Sequence, residues 1–327
     1  MTASHPNPHP RRNRGAALLA AMLTVTLVAS LAAASLWQQW RNVEVETAER
    51  MHLQAQWALT GALDWARLIL REDARAGGAD HLAEPWAVPL EEARLSTFLA
   101  ADSNGSTDDT DTASQVFLSG HITDLQARMN VTNLVDGTTL SVPDMQAFTK
   151  LFELLGLPVT ELTVLANNLL EAQGSNGKTP SPLAPLPPQR VAHLIWMGLS
   201  PRTLAVLEPH ITLLPQRTPI NVNTASATVL YASIARLDLA RAQELVNARQ
   251  IDHFKTIDDA NKILGSSAGP LDDSHHSVNS RYFQVRGRQR QDTTTIEEQS
   301  MLYRDGLDVK TLWRARGAPP EQERPLQ

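Results

Sequence analysis

The sequence predicts an α+β fold, and three observations lead to that class. Residues 16 to 36 form an uncharged apolar run that is long enough for a membrane helix. Strand patterns lie on both sides of residues 136 to 275, whereas that central range carries helix signals. Strands that flank an inserted helical block can complete one antiparallel sheet. We therefore expect one long helix, one sheet and one inserted helical region.

The first predicted element is a helix that begins directly after a basic leader, residues 1 to 15. The leader holds three arginines and no acidic residue, and the positive-inside rule keeps such a segment cytoplasmic. Residues 16 to 37 are expected to cross the membrane, because ~20 residues at ~1.5 Å rise cover a ~30 Å hydrocarbon core. Small or apolar residues then recur every three or four positions from Met51 to Ile69, which keeps one helix face apolar. The helix is therefore predicted to continue to about Arg75.

Strand patterns follow this helix and return near the C-terminus. Two apolar alternations precede the central range and three follow it. The predicted strands are Val116 to Thr123, Ala127 to Leu134, Arg281 to Arg288, Thr294 to Tyr303 and Leu307 to Trp313. Ahead of the first strand, residues 102 to 114 have no apolar side chain larger than Ala, so they are predicted to form a solvated loop.

Helix signals fill the central range. Prolines or capping side chains start these helices, and glycines end several of them. The predicted helices are 141 to 156, 160 to 172, 190 to 197, 200 to 207, 225 to 236 with Thr224 as its cap, 239 to 249 after Asp238, and 257 to 264 after a capping box at Thr256. Residues 174 to 188 are rich in Pro, Gly and Ser and are predicted to be a linker.

Composition limits the chemistry of the chain. Its 327 residues include no cysteine, which excludes disulfides and thiolate metal sites. Removing the three leader arginines from 29 Lys and Arg leaves 26 against 35 Asp and Glu, a net charge of −9, which disfavours a nucleic-acid partner. The sequence has no nucleophile elbow, phosphate loop or HExxH motif. No enzymatic activity is therefore predicted.

Two pairs of polar residues could suggest a site, but their positions favour simpler roles. His275 and His276 lie in a polar loop without a partner at helical spacing. Glu297 and Glu298 sit in mid-strand, where alternation sends them to opposite faces. We interpret the glutamates as surface charge.

The leader and the apolar helix resemble those of type IV pilins and type II secretion pseudopilins. Four further segments resemble one family of minor pseudopilins, general secretion pathway protein K. These segments are Leu82 to Ala87, Gly120 to Leu134, Pro219 to Ala225 and Asn279 to Phe283. Their order along the chain, together with the N-terminus, identifies the sequence as a member of that family.

The resemblance implies an architecture. It is a long, partly transmembrane helix packed on an antiparallel pseudopilin sheet, with a large inserted all-α domain of the SAM-like or helix-hairpin-helix-like type. The expected parts are a prepilin leader 1–15, a transmembrane half-helix 16–37, a first pseudopilin part 38–135, the insertion 136–275, a second sheet part 276–315 and a disordered tail 316–327.

The resemblance also implies a function. A prepilin peptidase is expected to cut between Gly15 and Ala16, leaving a single-pass protein of the inner membrane whose bulk is periplasmic. The expected place is the pseudopilus tip, with I- and J-type minor pseudopilins, the major pseudopilin and secreted proteins as partners. There the protein would initiate assembly and support export of folded proteins across the outer membrane. Pilin-like families usually carry a glutamate five residues after the cut, where this chain has Ala20.

Calcium is the one cofactor that the resemblance suggests. The ion needs several oxygen ligands, and five polar residues of the acidic loop could supply them: Asp102, Asn104, Asp108, Asp109 and Asp111. Their spacing does not match an EF-hand, and a solvated loop without an ion is the alternative. Where many relatives have an acidic, Trp-rich segment in the insertion, this chain has Asn167 to Glu171 and the linker.

Two other functions stay open at this point. The segment Ile220 to Ala225 also resembles the helix-hairpin-helix modules of DNA-uptake proteins, which bind phosphate through backbone N–H groups at a glycine-bearing turn. Residues 220 to 264 balance five Lys and Arg against five Asp and Glu, and the turn at Arg236 has no glycine. In the simpler interpretation, Asn221 and Asn223 hydrogen-bond their own backbone. A type IV pilus minor pilin would share the anchor but not this segment.

Overall fold

One helix of 63 residues, α1 (Arg14–Ala76), opens the fold. The computed structural model describes residues 14–95, 116–173, 184–265, 269–291 and 294–317. Among these residues, α1 is the one helix long and apolar enough to cross a membrane. No proline interrupts it. Its observed end agrees with the end predicted near Arg75. The chain divides into two compact units, Met1–Trp57 and Ala58–Gln327.

Five strands of the second unit form an antiparallel sheet in the order β1-β2-β9-β10-β11. Their bounds are β1 (Leu90–Arg94), β2 (Val116–Asp124), β9 (Tyr282–Gln291), β10 (Thr294–Asp305) and β11 (Asp308–Gly317). The strand before the helical block pairs with the strand after it, since Val116 lies opposite Gln291 and Asp124 opposite Phe283. The fold class is therefore α+β, as predicted.

Short helices lie between β2 and β9. Proline in the first turn or a side-chain cap begins several of them: Ser200, Ser226 and Asp238 each accept a hydrogen bond from a backbone N–H three residues on. The α-helices are α2 (Val142–Leu154), α3 (Val159–Gln173), α4 (Pro201–Leu207), α5 (Ala227–Ser233), α6 (Leu239–Ile251) and α7 (Ile257–Leu264). We call Val142–Leu264 the helical region.

Six two-residue strands join the sheet to the helical region and form three small pairs. Two of the pairs are parallel, β3 with β6 and β7 with β8. The third, β4 with β5, is antiparallel. Their bounds are β3 (Met129–Asn130), β4 (Val135–Asp136), β5 (Thr139–Leu140), β6 (Ile211–Thr212), β7 (Ile220–Asn221) and β8 (His276–Ser277).

Separate apolar cores hold the sheet and the helical region. On one sheet face, Leu63 and Leu70 of α1 pack with Trp86, Phe283 and Leu302, all buried. The opposite face carries a smaller cluster that includes Leu125, Leu214, Tyr282 and Met301. The helical region has the largest core, built around residues such as Phe148, Phe152, Leu162, Leu165 and Leu230. Burial of apolar area at ~25 cal/mol per Å² makes these cores the main source of stability.

Two predicted elements differ in the structure because side chains compete with regular backbone bonding. The strand predicted over Ala127 to Leu134 is wrong apart from Met129–Asn130. Asp124 and Asn130 instead cap two 3₁₀ turns, Leu125–Ala127 and Val131–Leu134, by accepting from Gln126 N–H and Thr132 N–H.

A second difference concerns the helix predicted over 225 to 236. The observed α5 begins at Ala227 after Ser226, because the Thr224 hydroxyl donates to Asp124 and does not cap the helix. The predicted helix 190 to 197 is the 3₁₀ helix Val191–Ile195. Glu297 and Glu298 do face opposite ways, but both are buried and paired with arginines, so the surface-charge interpretation is wrong.

Candidate functional site

Three of the four family-like segments meet at one buried place, and the fourth begins close to it in sequence. We call it the polar junction and define it by Asp80, Asp124, Asn221, Thr224 and Ser280, all buried. Asp124 comes from Gly120 to Leu134, Asn221 and Thr224 from Pro219 to Ala225, and Ser280 from Asn279 to Phe283. Asp80 lies two residues before the remaining segment, which begins at Leu82.

Asp124 is the centre of the polar junction. It ends β2, and its Oδ2 accepts from Thr224 Oγ1 at 2.6 Å, Ser280 Oγ at 2.6 Å and Asn221 Nδ2 at 3.1 Å. Its Oδ1 accepts from Gln126 N–H at 2.7 Å. Burial raises the pKa of Asp124 to about 6, although these hydrogen bonds act in the opposite direction. A carboxylate held by four donors joins the last residue of a sheet strand to Asn221 and Thr224 of the helical region and to Ser280 just before β9.

Asn221 extends the junction toward the end of α1. Its Nδ2 also lies within hydrogen-bond distance of the Asp80 carbonyl at 3.1 Å and Ser280 Oγ at 3.0 Å. Its Oδ1 accepts from Asn223 N–H at 2.9 Å, which agrees with the predicted bond to its own backbone. Asn223 differs from the prediction, because its side chain bonds the backbone of Phe254.

An ion-paired arginine closes the other side of the junction. Arg304 of β10 pairs with Asp80 and, at 2.6 Å, with Asp73 of α1. It also donates to Ser280 O at 2.9 Å, while Ser280 N–H donates to Asp80 Oδ2 at 2.6 Å. Burial raises the pKa of Asp80 even though the guanidinium acts to lower it. The arrangement ties α1, the sheet and the start of β9 together.

A second set of side chains fixes the strand pair β3–β6 nearby. Asn130 donates to Gln216 O at 2.8 Å and accepts from Leu214 N–H at 3.1 Å. Asn133 bonds both backbone groups of Thr218, at 2.9 and 3.0 Å. Each asparagine side chain therefore replaces a missing strand partner for residues 214 to 218.

The predicted metal residues all belong to the acidic loop of the sequence. Asp102, Asn104, Asp108, Asp109 and Asp111 lie outside the described residues.

Within the described ranges, one group of three carboxylates comes together, Asp73, Asp80 and Glu84, with oxygens within 4.8 Å of one another. Arg304 already supplies a positive charge to Asp73 and Asp80, so the cluster is explained without an ion. The segment from Asn167 to Glu171 lies on α3, where Asn168 donates to Met197 O at 3.1 Å.

The two adjacent histidines have unlike surroundings. His275 Nδ1 lies 3.0 Å from Asp272 Oδ1. His276 is buried, and neither ring nitrogen has a hydrogen-bond partner among the described residues. Burial lowers the pKa of His276 to about 4.

The predicted processing residues lie at the start of α1. The helix begins at Arg14, so Gly15 and Ala16 are both within its bounds. Sequence reasoning recognised the four segments but not the polar contacts between them. The signal available was Asp, Asn, Thr and Ser recurring inside otherwise apolar segments, because buried polar side chains need partners.

Comparison with known proteins gives consistent matches. The family model described as type II secretion system (T2SS), protein K, matches residues 220–279. Type II secretion system protein K of Pseudomonas aeruginosa is 27% identical over 329 residues, covering 94% of this chain and 90% of that protein.

A solved structure also matches. It is a chain of the GspK-GspI-GspJ complex from the type 2 secretion system of enterotoxigenic Escherichia coli, with a TM-score of 0.58 and 19% identity. The match covers 83% of this chain and 98% of that one. At this identity the likeness concerns the fold.

Proposed function

We propose that the chain is a member of the type II secretion system protein K family and that it acts at the tip of the pseudopilus. The family match and the curated relative support the role of a minor pseudopilin of type II secretion. An apolar N-terminal helix suited to single-pass anchoring fits that role. We further propose tip placement, initiation of assembly and support of protein export as its specific roles.

The polar junction is the observation that supports tip placement. Asp124, Asn221 and Ser280 join the helical region to the sheet by buried hydrogen bonds, so the helical region is held as a fixed extension of the pseudopilin sheet. Residues 136 to 275, which we propose as an inserted domain, would crowd neighbouring subunits within a filament. A subunit at the tip has free space on one side.

Ala20 supports the same placement. In pilin-like families the glutamate at this position pairs with the N-terminal amine of a neighbour as the new subunit enters the filament. Ala20 cannot form that pair, and a lone charge in lipid would be costly. The subunit therefore has no electrostatic reason to be added beneath another one.

We propose I- and J-type minor pseudopilins as direct partners. The matched structure is a complex of GspK with GspI and GspJ, and this chain would form the corresponding complex. The major pseudopilin, the prepilin peptidase and secreted proteins are the further expected partners. In this arrangement the leader is cytoplasmic, α1 is anchored in the inner membrane, and the rest of the chain is periplasmic.

Two experiments test this proposal. Co-expression with the I- and J-type subunits of the same system should give a complex that co-purifies in detergent, and the major pseudopilin alone should not replace them. Labelled copies should then appear at one end of isolated pseudopili. Labels at regular intervals along the pseudopili would contradict tip placement, and failure to co-purify with both minor subunits would contradict the proposed complex.

The geometry does not favour the DNA-uptake alternative. Asp238 caps α6 by accepting from Arg241 N–H at 2.8 Å, so a carboxylate occupies the place where a phosphate would bind. Arg249 donates to Val222 O and Lys262 pairs with Asp259. We expect this chain to bind duplex DNA no better than a neutral protein does. A micromolar affinity that weakens with added salt would contradict this.

A further inference from the structure

Two histidine rings face each other where the end of α1 meets the helical region. His81 follows α1, and His253 lies between α6 and α7. Their ring centroids are 3.8 Å apart, and the ring planes differ by 14°. Both residues are half-buried. We call this pair the histidine stack.

The hydrogen bonds of His81 show which protonation state the stack holds. Ala83 N–H donates to His81 Nδ1 at 3.2 Å, so Nδ1 is an acceptor and the ring is neutral with its proton on Nε2. Protonation of Nδ1 would replace this acceptor with a donor that faces another donor. It would also place positive charge against the ring of His253.

Charged groups surround the stack unevenly. Asp80 and Asp73 favour a positive His81, and Arg304 is paired with both of them. Glu84 accepts from His81 N–H at 2.9 Å. From the helical region, His253 opposes a positive His81, and Asp252 and Lys255 are its charged neighbours in sequence. Burial is the largest cause that lowers the pKa of His81 below its ordinary 6.5, followed by His253, and these outweigh Asp73 and Asp80.

The position of His253 connects the stack to the polar junction. The next residue, Phe254, has both backbone groups held by Asn223, at 2.8 and 2.9 Å. Asn223 N–H in turn donates to Asn221 Oδ1. A displacement of His253 would therefore reach Asn221 through these bonds.

We propose that the histidine stack is an acid-sensitive latch that holds the helical region against the end of α1. Neutral rings stack and keep the loop at His253 closed. Proton uptake by His81 breaks the bond from Ala83 and places positive charge against the ring of His253, so the loop opens. The pKa of His81 in the folded chain lies below its ordinary 6.5. The contribution of the histidine stack to keeping the loop closed is therefore complete above pH 6.5 and is lost as the pH falls below that value.

Hydrogen exchange of the full-length chain in detergent tests the latch. Protection factors, corrected for the intrinsic pH dependence of exchange, are compared between about pH 7.5 and about pH 5.5, where histidine titrates. Protection of amides in residues 251–256 should fall on acidification, by up to about tenfold per pH unit for each proton taken up. The protection of amides in the core of α2 should not fall together with it.

Variants separate the latch from general acid sensitivity. His253→Phe keeps an apolar stacking ring, and His81→Gln offers Ala83 an acceptor that cannot titrate. In each variant, the logarithm of the protection factor should fall between the two pH values by at most half as much as in the unmodified chain. His193→Phe is the matched control, because His193 stacks on Trp196 at 4.5 Å and 11° inside the helical region, and it should behave like the unmodified chain. Equal protection at both pH values, or an unchanged fall in both stack variants, would overturn the proposal.

Discussion

The side-chain amide of Asn223 pairs with the backbone of Phe254 in both directions. Its Nδ2 donates to Phe254 O at 2.8 Å, and Phe254 N–H donates to its Oδ1 at 2.9 Å. The Asn223 side chain thus makes the two hydrogen bonds that the backbone of a neighbouring strand would make, although Asn223 lies in a turn. The relationship joins the segment that precedes α5 to the loop between α6 and α7.

Replacing Asn223 should destabilise the helical region. Asn223→Ala would leave a buried N–H and a buried C=O of Phe254 without partners, at a cost of about 2–4 kcal/mol in the free energy of unfolding. Chemical denaturation of the full-length chain in detergent measures this. Asn247→Ala is the control, because Asn247 is exposed and its side chain accepts from Gln243 on the helix surface, and its effect should stay within ~0.5 kcal/mol. Equal effects of the two variants would contradict the role of the pair.

Asp124 should make stability depend on pH in a defined direction. Its folded pKa is raised from 3.8 to about 6, so the folded state binds the proton more tightly than the unfolded state. The stabilising contribution is therefore complete below pH 3.8 and is lost as the pH rises through 6. A shift of this size corresponds to about 3 kcal/mol.

The variant Asp124→Asn isolates this effect. It should be less stable than the unmodified chain at every pH, because one acceptor for Thr224, Ser280 and Asn221 becomes a donor. The difference in unfolding free energy between the two chains should be largest in acid and should shrink as the pH rises through 6. A constant difference would show that Asp124 does not titrate with a raised pKa.

Arg304 should matter far more than an exposed arginine in a similar pair. Arg304→Met removes the counter-charge from Asp80 and Asp73, whose side chains are 4% and 11% exposed. Leaving buried carboxylates unpaired costs about 3–5 kcal/mol. Arg75→Met is the control, since Arg75 pairs with Glu72 on the surface of α1 and such pairs contribute ~0–1 kcal/mol. Similar melting shifts for both variants would contradict this account.

Elements with strong local signals were predictable from sequence. The apolar run and the three-four spacing predicted α1, and the capping box at Thr256 predicted the start of α7. The alternation after Arg281 predicted β9 and the strands that follow it. In each case the residues that decide the conformation lie within a few positions of one another.

The polar junction was not predictable, because its partners are distant in sequence. Asp124 and Ser280 are 156 positions apart, and Thr224 could have capped a helix had Asp124 not taken its hydroxyl. The same competition removed the predicted strand after Ala127, since Asp124 and Asn130 bond the backbone locally. Sequence indicated which segments belong together, whereas tertiary contacts decided what each polar side chain does.

The remaining prediction concerns the N-terminus. Cleavage is expected between Gly15 and Ala16, because every charged side chain before Arg41 lies in the leader and the helix is apolar from Ala16 to Leu36. A prepilin peptidase cuts on the cytoplasmic side and leaves that helix intact, unlike removal of a secretory signal, which discards the apolar segment. Intact-mass measurement after co-expression with the peptidase should therefore show a chain that begins at Ala16.

The matched controls are the chain expressed without the peptidase and the variant Gly15→Ala. Both should keep their full mass, because the first has no enzyme and the second has lost the residue that the cut requires. The Ala20→Glu variant should still be processed, since it restores the usual glutamate of pilin-like families without changing the cleavage site. A mature chain that begins beyond a later small residue, such as Ala34, would mean that a signal peptidase had removed the apolar helix. The protein would then lack the anchor on which the pseudopilin assignment depends.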